Sequence, residues 1–232
     1  MSGADKLFDE FAPAYREALE NAIAPSGERR EYFAEGRVAW LKRCLGEIAE
    51  SPGRVLDFGC GDGGTTPLLL AALNANSVLG VDVSPKSLEL ARKNYANTQI
   101  TFASPQELPE KDAFDLAYCN GVFHHIPKEQ RVGALRFVHA SLRPGGIFSF
   151  WENSPWNPAT HYVMSRCAFD RDAVMLTPPE SRGLLKDSGF TILRTDFRFI
   201  FPRALRFLRN LEDMVYRLPL GTQYQILCRK MN

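Results

Sequence analysis

The sequence lacks a long hydrophobic run and any marked excess of charge of one sign. It contains no stretch of about 18 consecutive apolar residues, which a transmembrane helix would need. The opening segment MSGADKLFDEF has no apolar core of the kind found in signal peptides. Lysine and arginine number 28 against 27 aspartates and glutamates. These features predict a cytoplasmic chain without stable membrane insertion, and they speak against nucleic acid as its main partner.

Cysteine is also sparse. The five cysteines are scattered, none forms a C-x-x-C pair, and an odd number argues against a disulfide framework. Their spacing gives no structural zinc site, so the sequence predicts no metal. With 232 residues and 45% hydrophobic content, the chain is long enough for one well-buried α/β domain with an attachment.

One glycine-rich stretch stands out, RVLDFGCGDGGTT at residues 54–66. It begins with the apolar pair Val55-Leu56, breaks at Gly59, Gly61 and two further glycines, and continues into a helical pattern over 65–73. A glycine turn between a buried strand and a helix N-terminus allows backbone N–H groups to approach a ligand closely. The stretch therefore predicts a nucleotide-type binding turn.

Two carboxylates restrict the ligand. Asp57 precedes the first glycine by two residues, where it would repel a pyrophosphate and attract an ammonium. Asp82 ends the next strand, 77–81, and can accept both hydroxyls of a ribose. Gly59, Gly61 and Gly64 also satisfy the dinucleotide pattern, so an NAD-dependent oxidoreductase is the rival interpretation. A nucleoside with a cationic tail fits better, and S-adenosylmethionine has that chemistry.

The rest of the chain predicts an α/β fold with a doubly wound parallel sheet, because strands and helices alternate from residue 54 onward. Residues 1–50 have helical spacing and are predicted to form a helical lid over a core at 51–232. Residues 151–178 are irregular and rich in Trp, Asn and Pro, and are predicted to be an insertion that borders the substrate pocket.

Four motifs in order resemble the class I S-adenosylmethionine-dependent methyltransferases: VLDFGCGDGG, VLGVDVSPKSLELARKN, FDLAYCNGVFHHIP and LRPGGIFSF. Within that class they look most like the small-molecule branch that includes ubiquinone and menaquinone biosynthesis enzymes. The resemblance implies a seven-stranded, Rossmann-like sheet with an antiparallel last strand. It also implies the cofactor-binding positions Asp57, Gly59, Gly61, Asp82, Val83 and Asn120, with Cys60 in the same turn. Independently of the resemblance, Arg37 on the helical lid is a candidate for the cofactor, because an arginine there could pair with a carboxylate.

At the N-terminus, the segment ending at Tyr15 resembles the family's F-x-x-x-Y segment, which folds over the site. One departure concerns adenine. The family's loop after strand 3 usually offers an Asp and then a backbone N–H, but here Ser104 and Pro105 occupy those positions. Proline has no N–H, so adenine recognition is either weaker here or passes to Ser104 and Gln106.

Methyl transfer requires alignment of acceptor, methyl and sulfur, and for some acceptors the removal of a proton. His125 is the candidate base because it follows strand 4 and histidine titrates near neutral pH. His124 is its neighbour, and only one of the two is expected to point inward. Both could instead be packing residues. The substrate pocket is predicted to include Tyr15, Glu152, Asn153 and Trp156.

The sequence thus predicts an enzyme that methylates an oxygen or nitrogen of a small-molecule acceptor. The alternatives are a catalytically silent binding module, a protein or nucleic-acid methyltransferase, and an enzyme for a lipid-like acceptor at a membrane surface. The last rests on residues 199–218, where aromatics alternate with arginines. The preferred interpretation of that segment is a crossover helix with its apolar stripe on the sheet. A homodimer is left open.

Overall fold

The computed structural model describes residues 15–108, 111–167, 170 and 173–231, with the backbone alone for residues 15–17. The Tyr15 side chain and the rest of the F-x-x-x-Y segment therefore lie outside the described residues. Seven strands form one sheet. They are β1 (Arg54–Phe58), β2 (Ser77–Val81), β3 (Ile100–Ala103), β4 (Phe114–Asn120), β5 (Leu142–Asn153), β6 (Phe190–Arg198) and β7 (Gln223–Lys230).

Helices separate most of these strands. In chain order they are α1 (Tyr15–Ile23), α2 (Arg30–Glu47), α3 (Thr66–Leu73), α4 (Pro85–Tyr95), α5 (Lys128–Ser141), α6 (Pro158–Arg166), α7 (Pro178–Asp187) and the short α8 (Glu212–Val215). Three 3₁₀ segments, Ala24–Ser26, Pro105–Glu107 and Arg203–Leu211, complete the described regular structure. At α4, Ser84 caps the helix by accepting the N–H of Ser87, and Pro85 occupies the first turn.

The strand order is β3-β2-β1-β4-β5-β7-β6. β1 to β5 pair in parallel, whereas β7 runs antiparallel to both β5 and β6. This order confirms the predicted doubly wound sheet and its antiparallel last strand. The order reverses between β1 and β4, and such switch points are where ligands bind in open α/β sheets.

Alternating residues of the strands bury both faces of the sheet. Val55 and Leu116 pack with Trp40 and Leu41 of α2, whereas Leu56 packs in a second cluster that includes side chains of α5 and α7. Because successive side chains of a strand point to opposite faces, one run of apolar residues supplies both layers. Helices thus cover both faces of the sheet, and the candidate site residues lie at the carboxyl ends of its parallel strands.

A glycine in β2 tests this packing. A Cβ on Gly80 would lie 2.5 Å from Cδ1 of the buried Phe102 ring and 3.0 Å from the Cys60 sulfur. We expect Gly80→Ala to destabilise the protein by about 1–3 kcal/mol through overpacking. Gly183→Ala in α7 is the control, because a Cβ there meets nothing within 4 Å. It should stabilise by about 0.4–1 kcal/mol. Urea denaturation measures both, and equal stability of the two variants would contradict this packing.

The prediction of a crossover helix with its apolar stripe on the sheet is wrong. Residues 203–215 form a 3₁₀ helix followed by α8, and several of their apolar side chains are exposed, with Phe207 at 72% and Met214 at 80%. The reason is topological: β6 and β7 are antiparallel neighbours, so their connection returns along the same edge and does not cross the sheet. The exposed side chains are what the membrane-surface alternative requires. Among the described residues, no helix combines the length and apolarity of a membrane span.

Strand β5 is longer than the sequence pattern suggests. Residues 143–146, which include Pro144 and two glycines, lie inside β5, where the pairing with β4 skips from Phe114–Leu142 to Leu116–Ile147. The irregular region expected after Trp151 instead extends β5 to Asn153 and then forms α6. Asn157 caps α6 by accepting the N–H of Ala159, a local signal that the irregular composition concealed.

Candidate active site

The glycine turn lies at the carboxyl end of β1. The N–H groups of Gly59 and Cys60 both donate to the carbonyl of Val81, at 2.7 and 3.1 Å, which ties the turn to β2. Gly59 and Gly61 have positive φ angles of 73° and 54°. A Cβ on Gly59 would lie 2.2 Å from the Val122 side chain, whereas one on Gly61 meets nothing within 4 Å. Gly59 is therefore required by packing, and Gly61 faces open space that a ligand can occupy.

Asp57 is buried, with 2% of its surface exposed. Its Oδ2 accepts a hydrogen bond from Thr66 Oγ1 at 2.7 Å. Burial raises the pKa of Asp57 to about 7, against the lowering effect of the Thr66 hydroxyl. Burial thus favours the protonated form of this carboxyl group, and a cation placed beside it would favour the charged form.

Asp82 connects the glycine turn to the start of α4. Its Oδ2 accepts the N–H of Gly61 at 2.8 Å, and its Oδ1 accepts the N–H of Ser84 at 2.9 Å. A carboxylate oxygen can accept more than one hydrogen bond, so the bonds to the backbone do not exclude a bond from a ligand hydroxyl. Val83 follows with 47% of its surface exposed. An exposed apolar residue beside a half-buried carboxylate is suited to a sugar and its attached base.

The loop after β3 holds Ser104 and Gln106. The backbone N–H and the hydroxyl of Ser104 both donate to Glu107 Oε2, at 2.7 and 2.9 Å. These bonds form half of a capping box around the 3₁₀ segment that Pro105 begins. Gln106 is exposed and makes no such bond to the loop. The sequence did not single out Glu107, although Ser followed three residues later by Glu is the signal for this box.

A cavity of about 340 Å³ adjoins the carboxyl end of β4, at Asn120 and Gly121. Its wall comes from α1, α2, α6, the end of β4 and the segment 199–202. Five of the residues proposed from the sequence meet there: Arg37, Asn120, His124, His125 and Asn153. The cofactor residues on β1 and β2 are outside this wall, so the site has two parts that meet at the carboxyl end of β4.

Two residues predicted for the substrate pocket do not line this cavity. Glu152 is 1% exposed and lies behind His124. Trp156 is 48% exposed and stacks on Phe197, with ring centroids 6.2 Å apart. Successive side chains of a strand point to opposite faces, so Glu152 and Asn153 diverge at the end of β5, and Asn153 is the one that lines the cavity. Trp156 lies in the turn that follows β5.

Arg37 is held in a polar chain across the cavity floor. It is 6% exposed, and its guanidinium donates to Tyr118 Oη at 3.1 Å and to Gln223 Oε1 at 3.0 Å. Gln223 in turn donates to Asn153 Oδ1 at 3.3 Å. Tyr118 and Gln223 were not found from the sequence, because Gln223 is 186 residues from Arg37 along the chain. The fixed guanidinium is suited to an anionic group in the cavity.

Both histidines, His124 and His125, line the cavity. Their ring centroids are 4.1 Å apart. His124 Nδ1 lies 2.6 Å from Glu152 Oε2. Burial disfavours the charged form of His124, but the nearby carboxylates of Glu152 and Asp170 outweigh it and raise its pKa to about 10. Burial and the His124 charge lower the pKa of His125 to about 2.

These pKa directions separate the roles of the two rings. His125 is neutral at pH 7, which is the form that a base needs, but its low pKa gives little driving force for taking a proton. The ring of His124 carries the charge and is fixed by Glu152, whose other oxygen accepts the N–H of Phe123 at 2.7 Å. No local sequence pattern reveals this arrangement, because the two histidines follow β4 whereas Glu152 lies near the end of β5.

A glycine turn, a carboxylate ending β2 and an adjoining cavity at the switch point define a nucleoside-binding α/β enzyme. Comparison with known proteins gives the family. A methyltransferase-domain family model matches residues 55–146. An uncharacterized methyltransferase of Synechocystis is 31% identical over 65% of this chain and 73% of its own length. The chain therefore belongs to the class I S-adenosylmethionine-dependent methyltransferases, and its cofactor is S-adenosylmethionine.

Two further comparisons bear on the acceptor and the fold. A trans-aconitate 2-methyltransferase of Methylobacterium nodulans is 31% identical over 59% of this chain and 52% of its own length. The chain thus spans about half the length of that curated relative. A crystal structure of an S-adenosylmethionine-dependent methyltransferase from Mesorhizobium loti is 25% identical, with a TM-score of 0.59 over 81% of this chain and 96% of that one.

Proposed function

We propose that this enzyme transfers the methyl group of S-adenosylmethionine to an oxygen or nitrogen of a small molecule bound in the 340 Å³ cavity. The observation that carries the proposal is the position of the cavity. It reaches Asn120 and Gly121 at the end of β4, where the family resemblance puts the sulfonium, and is walled by α1 and α2. A volume of this size fits a small metabolite and excludes a folded protein or duplex.

The described residues fit the cofactor. Gly61 opens onto space, and Asp82 offers oxygens at the end of β2 for the two ribose hydroxyls. Val83 would flank adenine, with Gln106 the freer of the two polar residues in the β3 loop because Ser104 is bonded to Glu107. Asp57 carries a carboxylate suited to the cofactor's ammonium group.

Arg37 and Asn120 complete this proposed set at the methionine end. The guanidinium of Arg37 would hold the cofactor's carboxylate, and Asn120 would lie beside the sulfonium. The bound cofactor supplies a methyl group that is already activated. The work of this chain is then to position the acceptor in line with it, in a cavity that keeps water out.

A carboxylate oxygen is the acceptor that we favour. The support is the name of the curated relatives, which are trans-aconitate 2-methyltransferases. A carboxylate is already deprotonated at neutral pH, so its methylation needs no general base.

The test is methyl transfer with a panel of small carboxylic acids, phenols and amines, followed by release of S-adenosylhomocysteine. Val163 lies on the cavity wall in α6, and Val163→Trp should obstruct the acceptor. We expect kcat/KM to fall about 100-fold, the effect of misplacing a substrate by about 1 Å. Binding of S-adenosylhomocysteine should stay within twofold of the wild type.

Leu193→Trp is the matched control, since Leu193 is exposed on β6 and away from the cavity. It should leave turnover unchanged. Equal turnover of the two tryptophan variants would contradict the proposed acceptor site. Transfer to protein or nucleic acid, with none to the small molecules, would contradict the proposed substrate class.

A further inference from the structure

Three potential metal ligands converge in the cavity wall. The nitrogen ligand atoms of His124 and His125 and a carboxylate oxygen of Asp170 all lie within 4.8 Å of one another. Asp170 Oδ1 is 3.3 Å from His125 Nε2 and 3.6 Å from His124 Nε2. Tetrahedral zinc with bonds of about 2.0–2.1 Å places its ligand atoms about 3.3–3.4 Å apart, so these separations are close to those of a zinc site.

The surroundings of the three ligands support the same conclusion. Asp170 has 6% of its side chain exposed, and its buried Oδ1 faces both imidazole Nε2 atoms without a hydrogen bond of normal geometry. A buried carboxylate oxygen without a well-aligned donor is costly, and a cation bound to it would remove that cost. Two carboxylates, Glu152 and Asp170, contact the histidine pair, so a dication would also balance the local charge.

A carboxylate that would orient one of the metal ligands is already in place. His124 presents Nδ1 to Glu152 Oε2 at 2.6 Å, which leaves Nε2 directed at Asp170. Glu152 is itself fixed by the backbone N–H of Phe123. Metal-bound histidines in proteins characteristically place their second nitrogen against a carboxylate in this way, which fixes the ring and its tautomer.

We propose that His124, His125 and Asp170 bind one divalent transition-metal ion, with zinc the best match to two imidazoles and one carboxylate. Three protein ligands leave one position open, and all three residues line the cavity beside Asn120. That open position faces the space assigned to the methyl acceptor. An acceptor oxygen would bind there, a role that rests on the proposed function, whereas metal binding itself does not.

The test measures the metal alone, without cofactor or acceptor. Protein freed of metal with a chelator is dialysed against Zn²⁺, and its metal content is determined by mass spectrometry. Co²⁺ is then added, and its visible absorption reports the coordination number. We expect one equivalent of zinc per chain and the intense absorption of four-coordinate cobalt. His125→Ala and Asp170→Asn should each bind zinc at least tenfold more weakly.

Two more variants make the test specific. Glu152→Gln keeps all three ligands and should weaken zinc binding about 10–100-fold, because it removes only the carboxylate behind His124. His139→Ala in α5 should bind zinc as the wild type does, since His139 packs against Phe190 and not in the cavity. Circular dichroism of the metal-free variants checks that each is folded.

Less than one equivalent of zinc in the wild type, or equal affinity in Asp170→Asn and His139→Ala, would overturn the proposal. Methylation of a small acceptor by the metal-free enzyme at the full rate would leave the proposed function standing while removing the role of the metal in holding the acceptor. If the wild type binds one equivalent of zinc but methylates none of the small acceptors, the metal site stands and the proposed function is wrong.

Discussion

Replacing Asp82 by alanine should weaken S-adenosylmethionine binding by a factor of about 10²–10⁴. The expected loss is two charge-assisted hydrogen bonds to the ribose, each worth about 1.5–3 kcal/mol. The carboxylate also accepts the N–H groups of Gly61 and Ser84, so its removal frees the glycine turn as well. Isothermal titration calorimetry with S-adenosylhomocysteine measures the affinity directly.

A substitution at a second aspartate distinguishes the loss of bonds to the ribose from the loss of bonds to the backbone. Asp115 accepts the backbone N–H groups of Gly53 and Arg54, at 2.9 and 2.8 Å, and thus holds the opposite end of β1 in the same manner. Asp115→Ala should lower the free energy of unfolding but leave ligand affinity unchanged. If Asp82→Ala binds the ligand within threefold of the wild type while remaining folded, Asp82 does not hold the ribose.

Asp57→Asn is expected to change stability and affinity in opposite directions. A free aspartate has a pKa near 3.9, and burial raises that of Asp57 to about 7. The folded protein therefore retains a proton that the unfolded chain releases, and this stabilisation is present below about pH 4 and is lost as the pH rises to about 7. A shift of three pKa units corresponds to about 4 kcal/mol as an upper value.

Asparagine carries no charge at either pH, so the unliganded variant should gain stability over the wild type between pH 4 and pH 8. Its affinity for S-adenosylmethionine should be lower at pH 8, by about 10–150-fold for one charge-assisted bond to the ammonium. The wild type should bind more tightly at pH 8 than at pH 6, whereas the variant should not. Denaturation and calorimetry at the two pH values test both statements.

Thr66→Val provides the matched control for Asp57. It removes the hydroxyl that donates to Asp57 Oδ2, and so it removes a group that lowers the pKa of the carboxyl. The rise in affinity should then occur at higher pH than in the wild type. If all three proteins show the same dependence of affinity on pH, the charge of Asp57 has no part in cofactor binding.

The elements with strong local signals were predictable from sequence. The glycine turn, the Ser84-Pro85 start of α4 and the seven-stranded order follow from residue types that restrict the backbone or from four motifs in a fixed order. The segment 203–217 has a clear helical pattern, yet it forms no crossover helix. Its form depends on the direction in which β7 returns, which is set by pairing with β5 and β6.

For the site, the sequence predicts positions next to a motif. Asp57 and Asp82 lie at the glycine turn as predicted, because the motif fixes their place in it. The contacts of Glu152, Gln223 and Asp170 could not be predicted, because each has its partner in a distant part of the chain. Contacts of this kind leave no periodicity, and a single sequence holds no other trace of them.

The place of β7 has a consequence for the order of events during synthesis. β7 is the last of the described strands along the chain, yet it lies between β5 and β6. A growing chain can thus assemble β1 to β5 early, but β6 has no strand to pair with until residues 223–230 have emerged. Gln223, the partner of Arg37, arrives with that same strand. The nascent enzyme therefore completes its sheet and its cavity at the same stage, when β7 joins β5 and β6.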